Sequence, residues 1–399
     1  MEIVIDVTRL AGRFMKGRLP TGVDRVSLEY IRHFGDRAHA MVRLGQREMI
    51  LPRPASLRLF ELLLRPSQGF IGEMIRLAVQ EFPGMWNKGC LQGAFLFNTG
   101  HSGLERAAYP SALGRLGVRP IFFVHDLIPI TYPEYCRRGE SDKHVVRMNN
   151  VLDLACGVIT NSAATLEELG NFAKKYGKPM PPSVTAPLAS AALPPPLAKR
   201  PMTAPYFVVL GTIEPRKNHW LLLQVWRRLV EQMGTGAPRL VIIGQRGWEC
   251  ENVVDLLERC EALRGYVTEL PACSDAELST WLKHAQALLF PSFAEGYGIP
   301  LVEALSIGVP VIASDLPVFR EIAGNIPDYL DPLDGMGWIG RIKAFAETAS
   351  PERTAQLRRL ASFSAPTWST HFQVVEEFME RLQYSGGYHG KGHGISRIQ

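Results

Sequence analysis

The chain has 399 residues, of which 46% are hydrophobic and 21% charged, and its formal net charge is +5 at pH 7. This length predicts two domains, and the composition is typical of a globular protein and excludes a fibrous or fully disordered chain. No apolar run approaches the roughly 20 residues of a membrane span, and the N-terminal MEIVIDVTRL lacks the apolar core of a signal peptide. The six cysteines are scattered without a C-x-x-C pair, which favours reduced thiols in the cytoplasm over disulfides or a zinc site.

The positive charge is concentrated in the first half of the chain. Residues 1–200 contain 26 Lys and Arg against 17 Asp and Glu, a net charge of +9, whereas residues 201–399 contain 18 against 22, a net charge of −4. A basic half suits anionic lipid headgroups or a phosphate-bearing acceptor, and it equally suits a solvated surface. No basic stripe alternates with aromatic residues, which argues against a nucleic-acid partner.

The chain begins with the pattern of a Rossmann-like unit. Ile3–Val7 predicts a buried strand, and a polar, basic loop is expected from Thr8 to Pro20. A helix is then predicted after Gly22, with apolar positions at Val26, Tyr30 and Ile31. A strand, a glycine-bearing loop and a helix in this order are typical of a nucleotide-binding half domain.

Two short amphipathic helices are predicted next, over Leu57–Leu64 and Phe70–Val79. They carry or adjoin three cations, Arg58, Arg65 and Arg76. Two interpretations stand. The helices pack on the N-terminal sheet, or they present a basic, apolar face that docks on the inner surface of a membrane.

Three further strands are predicted in the first half, over Ala94–Phe97, Ile121–Val124 and Gly157–Thr160. His125 and Asp126 directly follow the second of them. Because ligands bind beyond the carboxyl ends of strands in open parallel sheets, His125 is a candidate site residue, with a structural or exposed histidine as the alternative. Asp126 orients the imidazole or the acceptor, or it caps the loop.

The second half opens after a segment rich in Pro and Ala, residues 187–205, which predicts an interdomain linker. The strand Tyr206–Leu210 is followed by the sequence GTIEPRKN, which contains Arg216 and Lys217. Cations at the end of a strand suit a pyrophosphate. The Arg guanidinium can donate two hydrogen bonds to it at once, and the Lys ammonium acts as a point charge. The alternative is a pair of surface cations. Further strands are predicted over Leu240–Ile243 and Val267–Leu270.

The stretch from Ala287 to Asp315 predicts a strand, a loop, a helix from about Pro300 and a second strand. The loop holds two glycines, which let the backbone approach a ligand, and the helix directs its free N–H groups at the loop. A phosphate is therefore expected there. Glu295 in the loop and Glu303 in the helix would repel it unless they hold hydroxyl groups, and the alternative is that both are simply solvated or dipole-stabilised carboxylates.

Helices are also predicted over Asp315–Ala323, Trp338–Ala349 and Trp368–Leu382, and the last of these is expected to cross back to the first domain. The polar, glycine-rich tail from Ser385 to Gln399 is predicted to be disordered. The predicted organisation is a first domain, a linker, a second domain and a C-terminal helix, over residues 1–186, 187–205, 206–366 and 367–384.

The run EGYGIPLVEAL at residues 295–305 resembles the Glu-x7-Glu motif of the family 4 retaining glycosyltransferases, also known as glycosyl transferases group 1, which have the two-domain GT-B fold. The resemblance implies that Glu295 contacts the donor sugar and that Glu303 binds the ribose hydroxyls of the nucleotide. It also implies donor contacts for the loop residues between them, Gly296, Tyr297 and Gly298.

Two other segments of the second domain resemble the same family. GTIEPRKN is similar to its phosphate-binding loop, with Lys217 on the family's Lys. Thr212 replaces the usual Arg after the Gly, so Arg216 is expected to supply that charge. The resemblance places Leu270, at the end of a predicted edge strand, against the nucleotide base.

The first domain resembles the family more loosely. VHDLIPITYPEY is similar to a recurrent His-Asp segment, which implies that His125 contacts the transferred sugar or the acceptor near the reaction centre. Gly22 matches a glycine loop that approaches the donor phosphates and the acceptor. Thr21 stands where many members have a second glycine.

These observations predict an α/β protein with a GT-B fold, two Rossmann-like domains facing across a cleft. The expected reaction is transfer of a sugar, with retention, from a nucleotide diphosphate donor to a carbohydrate or lipid-linked acceptor in surface polysaccharide biosynthesis. A GDP-linked mannose-type donor is favoured over a UDP-linked hexose. No Asp-x-Asp pair is placed to hold a metal, so no metal or further cofactor is expected. The expected location is the cytoplasm, with peripheral contact with the inner membrane face.

Two other functions stay open. A nucleotide-sugar 2-epimerase with the same architecture would need an acid–base pair beside C2 of the sugar, and the sequence does not point to one. A non-catalytic nucleotide-sugar binder would keep the site without the reaction. Lys217, Glu295 and Glu303 argue against a loss of donor chemistry.

Overall fold

The computed structural model describes residues 1–18, 20–45, 47–66, 69–81, 91–101, 103–191 and 193–386. Over these ranges the chain forms two β-sheets, each covered by helices on both faces. The strands are β1 (Ile3–Asp6), β2 (Ala38–Leu44), β3 (Arg47–Ile50), β4 (Phe95–Asn98), β5 (Arg119–Val124), β6 (Gly157–Thr160), β7 (Ser183–Thr185), β8 (Tyr206–Leu210), β9 (Arg239–Ile243), β10 (Val267–Leu270), β11 (Leu288–Phe290), β12 (Val311–Ser314) and β13 (Asp328–Leu330).

The α-helices of the described residues lie between and after these strands. They are α1 (Thr8–Phe14), α2 (Gly22–Phe34), α3 (Arg53–Leu64), α4 (Phe70–Glu81), α5 (Tyr109–Leu116), α6 (Ile128–Thr131), α7 (Glu140–Leu154), α8 (Ala163–Lys175), α9 (His219–Met233), α10 (Glu251–Arg259), α11 (Asp275–His284), α12 (Ile299–Ser306), α13 (Pro317–Ala323), α14 (Gly335–Ala346), α15 (Pro351–Leu360) and α16 (Trp368–Gly386).

The first sheet has the strand order β3-β2-β1-β4-β5-β6-β7, and its strands are parallel except for β3, which runs antiparallel to β2. Successive residues of β1 enter opposite cores, Ile3 and Ile5 on one face and Val4 on the other. This burial on both faces explains why the strands read as continuous apolar runs. The strand order reverses between β1 and β4, and the loops after these two strands therefore diverge at the carboxyl edge and leave a crevice.

The second sheet has the strand order β10-β9-β8-β11-β12-β13 and is entirely parallel. Its order reverses between β8 and β11, which makes the loops after these strands the walls of a second crevice. These loops are residues 211–218 and 291–298, the two segments that carry Lys217 and Glu295.

Helix α16 lies on the first domain although it follows the second domain in sequence. The Arg119 guanidinium donates to the carbonyl oxygen of Leu382 at 2.8 Å, and His371 Nε2 lies 3.2 Å from the Tyr30 hydroxyl. Gly157 in β6 permits this close packing, since a Cβ there would lie 2.6 Å from Leu382 Cδ1. The linker 187–205 forms neither helix nor strand over its described residues.

The predicted two-domain α/β architecture is confirmed, and several details differ. The loop expected from Thr8 to Pro20 contains α1, whose Arg9 and Arg13, one turn apart, both pair with Asp24. This helix was not predicted because its charged residues and Gly12 interrupt the apolar pattern that indicates a helix. The hairpin of β2 and β3 and helix α15 were not predicted. Of the tail expected to be disordered, residues 385–386 end α16, and residues 387–399 lie outside the described residues.

Among the described residues, no helix has both the length and the apolar character needed to cross a membrane.

Candidate active site between the two domains

The loop after β8 turns sharply before α9 begins. Residues Pro215–Lys217 form a 3-10 turn, and Asn218 takes a left-handed conformation at φ 55°. The Asn218 amide donates to the carbonyl oxygens of Pro291 and Pro332 at 3.2 and 2.8 Å, which ties this loop to the one after β11. The turn therefore fixes Arg216 and Lys217 at the crevice of the second sheet.

These two cations meet two carboxylates at the crevice. Lys217 Nζ lies 2.5 Å from Glu295 Oε1, and Arg216 Nη1 lies 2.6 Å from Glu295 Oε2. The other guanidinium nitrogen of Arg216 lies 2.6 Å from Glu214 Oε1. The four side chains, which we call the charge cluster, are largely buried and formally neutral. The sequence prediction placed the two cations here but did not foresee that Glu295 would neutralise them.

Glu295 is ionised in this arrangement. Burial opposes the charge of its carboxylate, but Arg216 and Lys217 outweigh burial and lower the pKa of Glu295 to about 2. The pKa of Lys217 is lowered by burial, and Glu295 opposes that shift. A ligand phosphate that reached the two cations would therefore share them with Glu295.

The loop of Glu295 packs closely on the first domain at Gly296. A Cβ on Gly296 would lie 2.4 Å from the His125 carbonyl oxygen and 2.7 Å from Asp126 Cβ, so only glycine fits there. The hydroxyls of Ser162 and Thr165 each lie 3.2 Å from the carbonyl oxygen of Gly296. Gly296 was predicted to let the backbone approach a ligand, and the structure shows that it lets the backbone approach the first domain.

Gly298 and Tyr297 also serve the packing of the loop. Gly298 has φ +109°, and a Cβ there would lie 2.7 Å from the ring of Phe319. Tyr297 is buried, and its hydroxyl donates to the Leu188 carbonyl oxygen at 2.7 Å. The side chain of Tyr297 therefore points at the linker. Donor contacts stay predictions for Tyr297 and for the backbone of residues 296–298.

Glu303 lies in α12 and faces the start of α2 across the cleft. Its carboxylate is 4% exposed, and Arg25 Nη1 lies 3.7 Å away. Burial raises the pKa of Glu303 to about 7, and Arg25 opposes the shift. Gly22 is the first residue of α2, and a Cβ there would lie 3.4 Å from Ile299 Cδ1. The predicted glycine loop and the predicted ribose carboxylate thus lie on facing sides of the cleft.

His125 follows β5, as predicted, and is buried. Its Nε2 donates to the Thr99 carbonyl oxygen at 2.7 Å, and burial lowers its pKa, so the ring is neutral. Asp126 Oδ1 accepts the backbone N–H of Ile128 at 3.1 Å, which supports the loop-capping alternative for this residue. His125 and Asp126 line a cavity of about 340 Å³ in the first domain.

Leu270 ends β10, the edge strand of the second sheet, and its carbonyl oxygen accepts the N–H of Gly244 at 3.0 Å. It therefore lies on the same carboxyl edge as the charge cluster, three strands away from β11. Its contact with a nucleotide base stays a prediction. Within the described part of the chain, no three His, Cys, Asp or Glu side chains form a group that could hold a metal ion.

The structure thus places Gly22, His125, the charge cluster and Glu303 around one cleft, whereas the Tyr297 hydroxyl contacts the linker. Sequence reasoning missed Arg25, which pairs with Glu303, and His101 and His144, which line the cavity beside His125. His101 follows β4 and was accessible to the same strand-end argument that found His125. His144 lies inside α7, where no sequence signal marks it.

Part of the chain matches a known protein family. Residues 197–326 match the family described as glycosyl transferases group 1. This match covers the end of the linker and most of the second domain, including the charge cluster and Glu303.

Individual relatives are mannosyltransferases by name. The chain is 29% identical to O-antigen chain mannosyltransferase B of Escherichia coli over 260 residues, 63% of this chain and 67% of that protein. It is 28% identical to the serotype-specific mannosyltransferase WbdA of Escherichia coli over 249 residues, 56% of this chain and 29% of that protein. The chain therefore spans less than a third of the length of WbdA.

Solved structures share the fold over nearly the whole chain. HepE from Anabaena, crystallised in complex with UDP and glucose, matches 97% of this chain and 100% of its own with a TM-score of 0.64 at 15% identity. Sucrose-phosphate synthase from Thermosynechococcus elongatus matches 96% and 100% with the same TM-score and identity. These matches confirm the predicted GT-B fold.

Glu295→Gln is expected to destabilise the protein by about 3–5 kcal/mol at pH 7, because it leaves Arg216 and Lys217 buried without their shared carboxylate. The folded pKa of Glu295, about 2, lies below its unfolded value of 4.5. Its contribution is therefore complete above pH 4.5 and is lost as the pH falls towards 2. Thermal unfolding of both proteins from pH 7 to pH 3 measures the difference, which should shrink below pH 4.5.

Asp315→Asn is the matched control. Asp315 pairs with Arg320 at 2.7 Å on the exposed surface of the same domain, so its loss should change stability by less than about 1 kcal/mol. Equal Tm shifts for the two variants, or a Glu295→Gln shift that does not depend on pH, would contradict the charge-cluster account.

Proposed function

We propose that the protein is a glycosyltransferase that moves a sugar from a nucleoside diphosphate donor to an acceptor hydroxyl. The observation that carries this proposal is the charge cluster at the crevice of the second sheet, held against His125 and Asp126 of the first sheet by the contact at Gly296. The cleft therefore has cations on the side of the second domain and the neutral imidazole of His125 on the side of the first domain. The match of residues 197–326 to glycosyl transferases group 1 supports the same reaction class.

In this proposal the second domain holds the donor. Arg216 and Lys217 bind the diphosphate and stabilise the charge that develops on it as the sugar leaves, and the N-terminal end of α12 adds its dipole. Glu303 accepts hydrogen bonds from the ribose hydroxyls. Glu295, which already touches both cations, orients the transferred sugar next to the diphosphate.

The first domain holds the acceptor in this proposal, and the sugar keeps its anomeric configuration. The acceptor hydroxyl attacks from the face that the diphosphate leaves, and the departing phosphate assists its deprotonation. Arg216, Lys217 and α12 provide the positive charge for this step from the chain itself. His125 contacts the sugar or the acceptor at the mouth of the first-domain cavity.

We favour a mannose-type sugar, a GDP-linked donor and a surface polysaccharide or lipid-linked glycan as acceptor. The support is that mannosyltransferase B and WbdA are named as mannosyltransferases, the first of them of the O-antigen chain. RfbU of Salmonella typhimurium, an O-antigen chain mannosyltransferase, is 33% identical over 141 residues, 35% of this chain and 37% of that protein. A UDP-linked hexose is the second candidate, since HepE was crystallised with UDP and glucose.

Incubation of the full chain with GDP-mannose, UDP-glucose and related donors, with oligosaccharide acceptors, tests the function. We expect free nucleoside diphosphate and a new α- or β-glycoside of the donor's own configuration. Lys217→Ala should lower turnover about a hundredfold, because it removes charge from the leaving phosphate. Lys343→Ala is the control, since Lys343 lies on α14, outside the charge cluster, and its Nζ donates to Gln232 Oε1 at 2.6 Å on the exposed surface.

Three results would contradict the proposal in different ways. Conversion of the donor into its C2 epimer would make the protein an isomerase. Nucleotide-sugar binding without turnover would make it a binder. Turnover that is equal in Lys217→Ala and Lys343→Ala would remove Lys217 from the reaction.

We also propose peripheral contact with an anionic membrane through α3 and α4. Helix α3 packs on the first domain through Leu59, Phe60 and Leu63, and α4 does so through Phe70 and Leu77, in line with the first interpretation of this segment. The opposite face of α4 exposes Ile71 and Ile75, at 50% and 56% of their surfaces. A cavity of about 610 Å³ beside it is lined by cations and carboxylates, among them Arg58, Arg65, Arg76, Glu61 and Glu73.

Replacing Arg58, Arg65 and Arg76 together with Gln should weaken binding to anionic liposomes roughly a hundredfold, because each cation near such a surface contributes about 1 kcal/mol. Co-sedimentation at roughly 0.05 to 0.5 M salt measures this, and binding of the unchanged protein should fall as salt screens the attraction.

The matched control replaces Arg227, Arg228 and Arg259 with Gln, which removes the same charge from the exposed surface of the second domain. It should leave liposome binding unchanged. Equal loss in both triple variants would show that net charge, not this face, governs binding, and no binding at low salt would end the membrane proposal.

A further inference from the structure

The amino edge of the second sheet carries a cavity of about 500 Å³, which we call the edge cavity and which lies in the size range of ligand pockets. It is lined by residues that precede β8 and β11, by the end of α11 and by the start of α15. The charge cluster lies at the opposite edge of the same sheet. The five residues of β8, at about 3.3 Å each, set the two edges roughly 15 Å apart, so the edge cavity is separate from the cleft.

Four basic side chains converge on the edge cavity from three segments of the chain. Arg200 comes from the linker, Lys283 and His284 from the last turn of α11, and Arg353 from the first turn of α15. Within the part of the chain that the structure describes, none of the four pairs with a carboxylate. The cavity therefore gathers positive charge without a counter-charge of its own.

Local structure accounts for two of these four residues. Lys283 Nζ donates to the Ile307 carbonyl oxygen at the end of α12, and His284 Nε2 donates to the Leu197 carbonyl oxygen in the linker, both at 2.9 Å. Both side chains also lie at the carboxyl end of α11, where the helix dipole favours positive charge. Lys283 has two further N–H hydrogens for other partners.

Arg353 has no such explanation. It is the third residue of α15, at the amino end of the helix, where the dipole opposes a cation. Its side chain is partly buried, and burial and then the charge of Arg200 lower the pKa of Arg353. The dipole, burial and a like charge thus all oppose this guanidinium, and no carboxylate of the described residues pairs with it to offset them.

The guanidinium of Arg353 is nevertheless fixed in position. Its Nε donates to the Gln286 carbonyl oxygen at 2.9 Å, and Ser350 Oγ accepts the backbone N–H of Arg353 at 3.0 Å. Among the described residues, its two Nη groups make no hydrogen bond. These two groups form one of the paired N–H edges with which Arg binds an oxyanion, and they are available to a ligand.

We propose that the edge cavity is a second anion site and binds a phosphate group through Arg353, Arg200 and Lys283. A phosphate matches this set better than a carboxylate does, because it carries up to two charges and three acceptor oxygens. The amino end of α15 favours the same charge. Because Arg200 belongs to the linker and Arg353 to the second domain, a bound phosphate joins the two. The proposal does not depend on the glycosyltransferase function.

Calorimetric titration of the full chain with inorganic pyrophosphate tests the site. Arg353→Gln should weaken binding about tenfold or more, because it removes hydrogen bonds between charged groups. Arg358→Gln is the matched control and should leave binding unchanged, since Arg358 is an exposed residue of the same helix that does not line the cavity. Pyrophosphate also suits Arg216 and Lys217, and both variants keep those cations intact.

Arg200→Gln is the second variant and tests the proposal if Arg353→Gln does not fold. Arg200 is exposed and makes no hydrogen bond or ion pair with the described residues, so its replacement does not disturb the fold. It should weaken pyrophosphate binding about two- to fivefold, as expected for one exposed charge. Arg353→Lys keeps the charge and loses the paired N–H edge, and its affinity should lie between those of Arg353→Gln and the unchanged protein.

Co-sedimentation with liposomes that contain phosphatidic acid identifies the source of the phosphate. If Arg353→Gln weakens pyrophosphate binding alone, relative to Arg358→Gln, the ligand is a free phosphate compound, and if it also weakens liposome binding, the site accepts the phosphate of a lipid headgroup. The proposal is overturned if Arg353→Gln and Arg358→Gln bind both probes equally, or if the unchanged protein binds neither probe.

Discussion

The candidate active-site cleft depends on one close contact, the approach of Gly296 to the carboxyl end of β5. Without a side chain at this position the loop after β11 can rest on His125 and Asp126, and the hydroxyls of Ser162 and Thr165 hold its carbonyl oxygen. Glu321 strengthens the same contact, since its carboxylate accepts the backbone N–H groups of residues 163 and 164 at the start of α8, at 2.7 and 3.1 Å. The crevices of the two sheets therefore face each other.

Charge compensation explains why two carboxylates can lie in a site whose cations suit a phosphate. Glu295 is ionised, but its charge is matched by Arg216 and Lys217. Glu303 is buried with a pKa of about 7, so it carries only part of a charge at neutral pH. The repulsion that the sequence suggested is thereby removed, and the cations, the α12 N-terminus and the two carboxylates form one polar surface.

The sequence predicted the two-domain fold and the strand-end positions of the candidate residues because both follow from local rules. Buried parallel strands read as apolar runs, and ligand residues follow their carboxyl ends, which located His125, Lys217 and Glu295. What it missed depends on contacts between distant segments. The pairing of Lys217 with Glu295 joins residues 78 positions apart, and the direction of Tyr297 is set by Leu188 in the linker. Such pairings leave no periodic signal.

The central claim is that the cleft binds a nucleoside diphosphate sugar through the charge cluster and Glu303. Calorimetric titration with GDP-mannose and UDP-glucose from pH 6 to pH 8 tests this claim most directly. A proton must leave Glu303 before its carboxylate accepts ribose hydroxyls, and Arg25 and Asp275 are the charged groups beside it. The account predicts that affinity for one donor rises towards pH 8 in the unchanged protein, and that Glu303→Gln binds about 10- to 100-fold more weakly at pH 8 with little pH dependence. Equal affinities and the same pH profile in both proteins would contradict it.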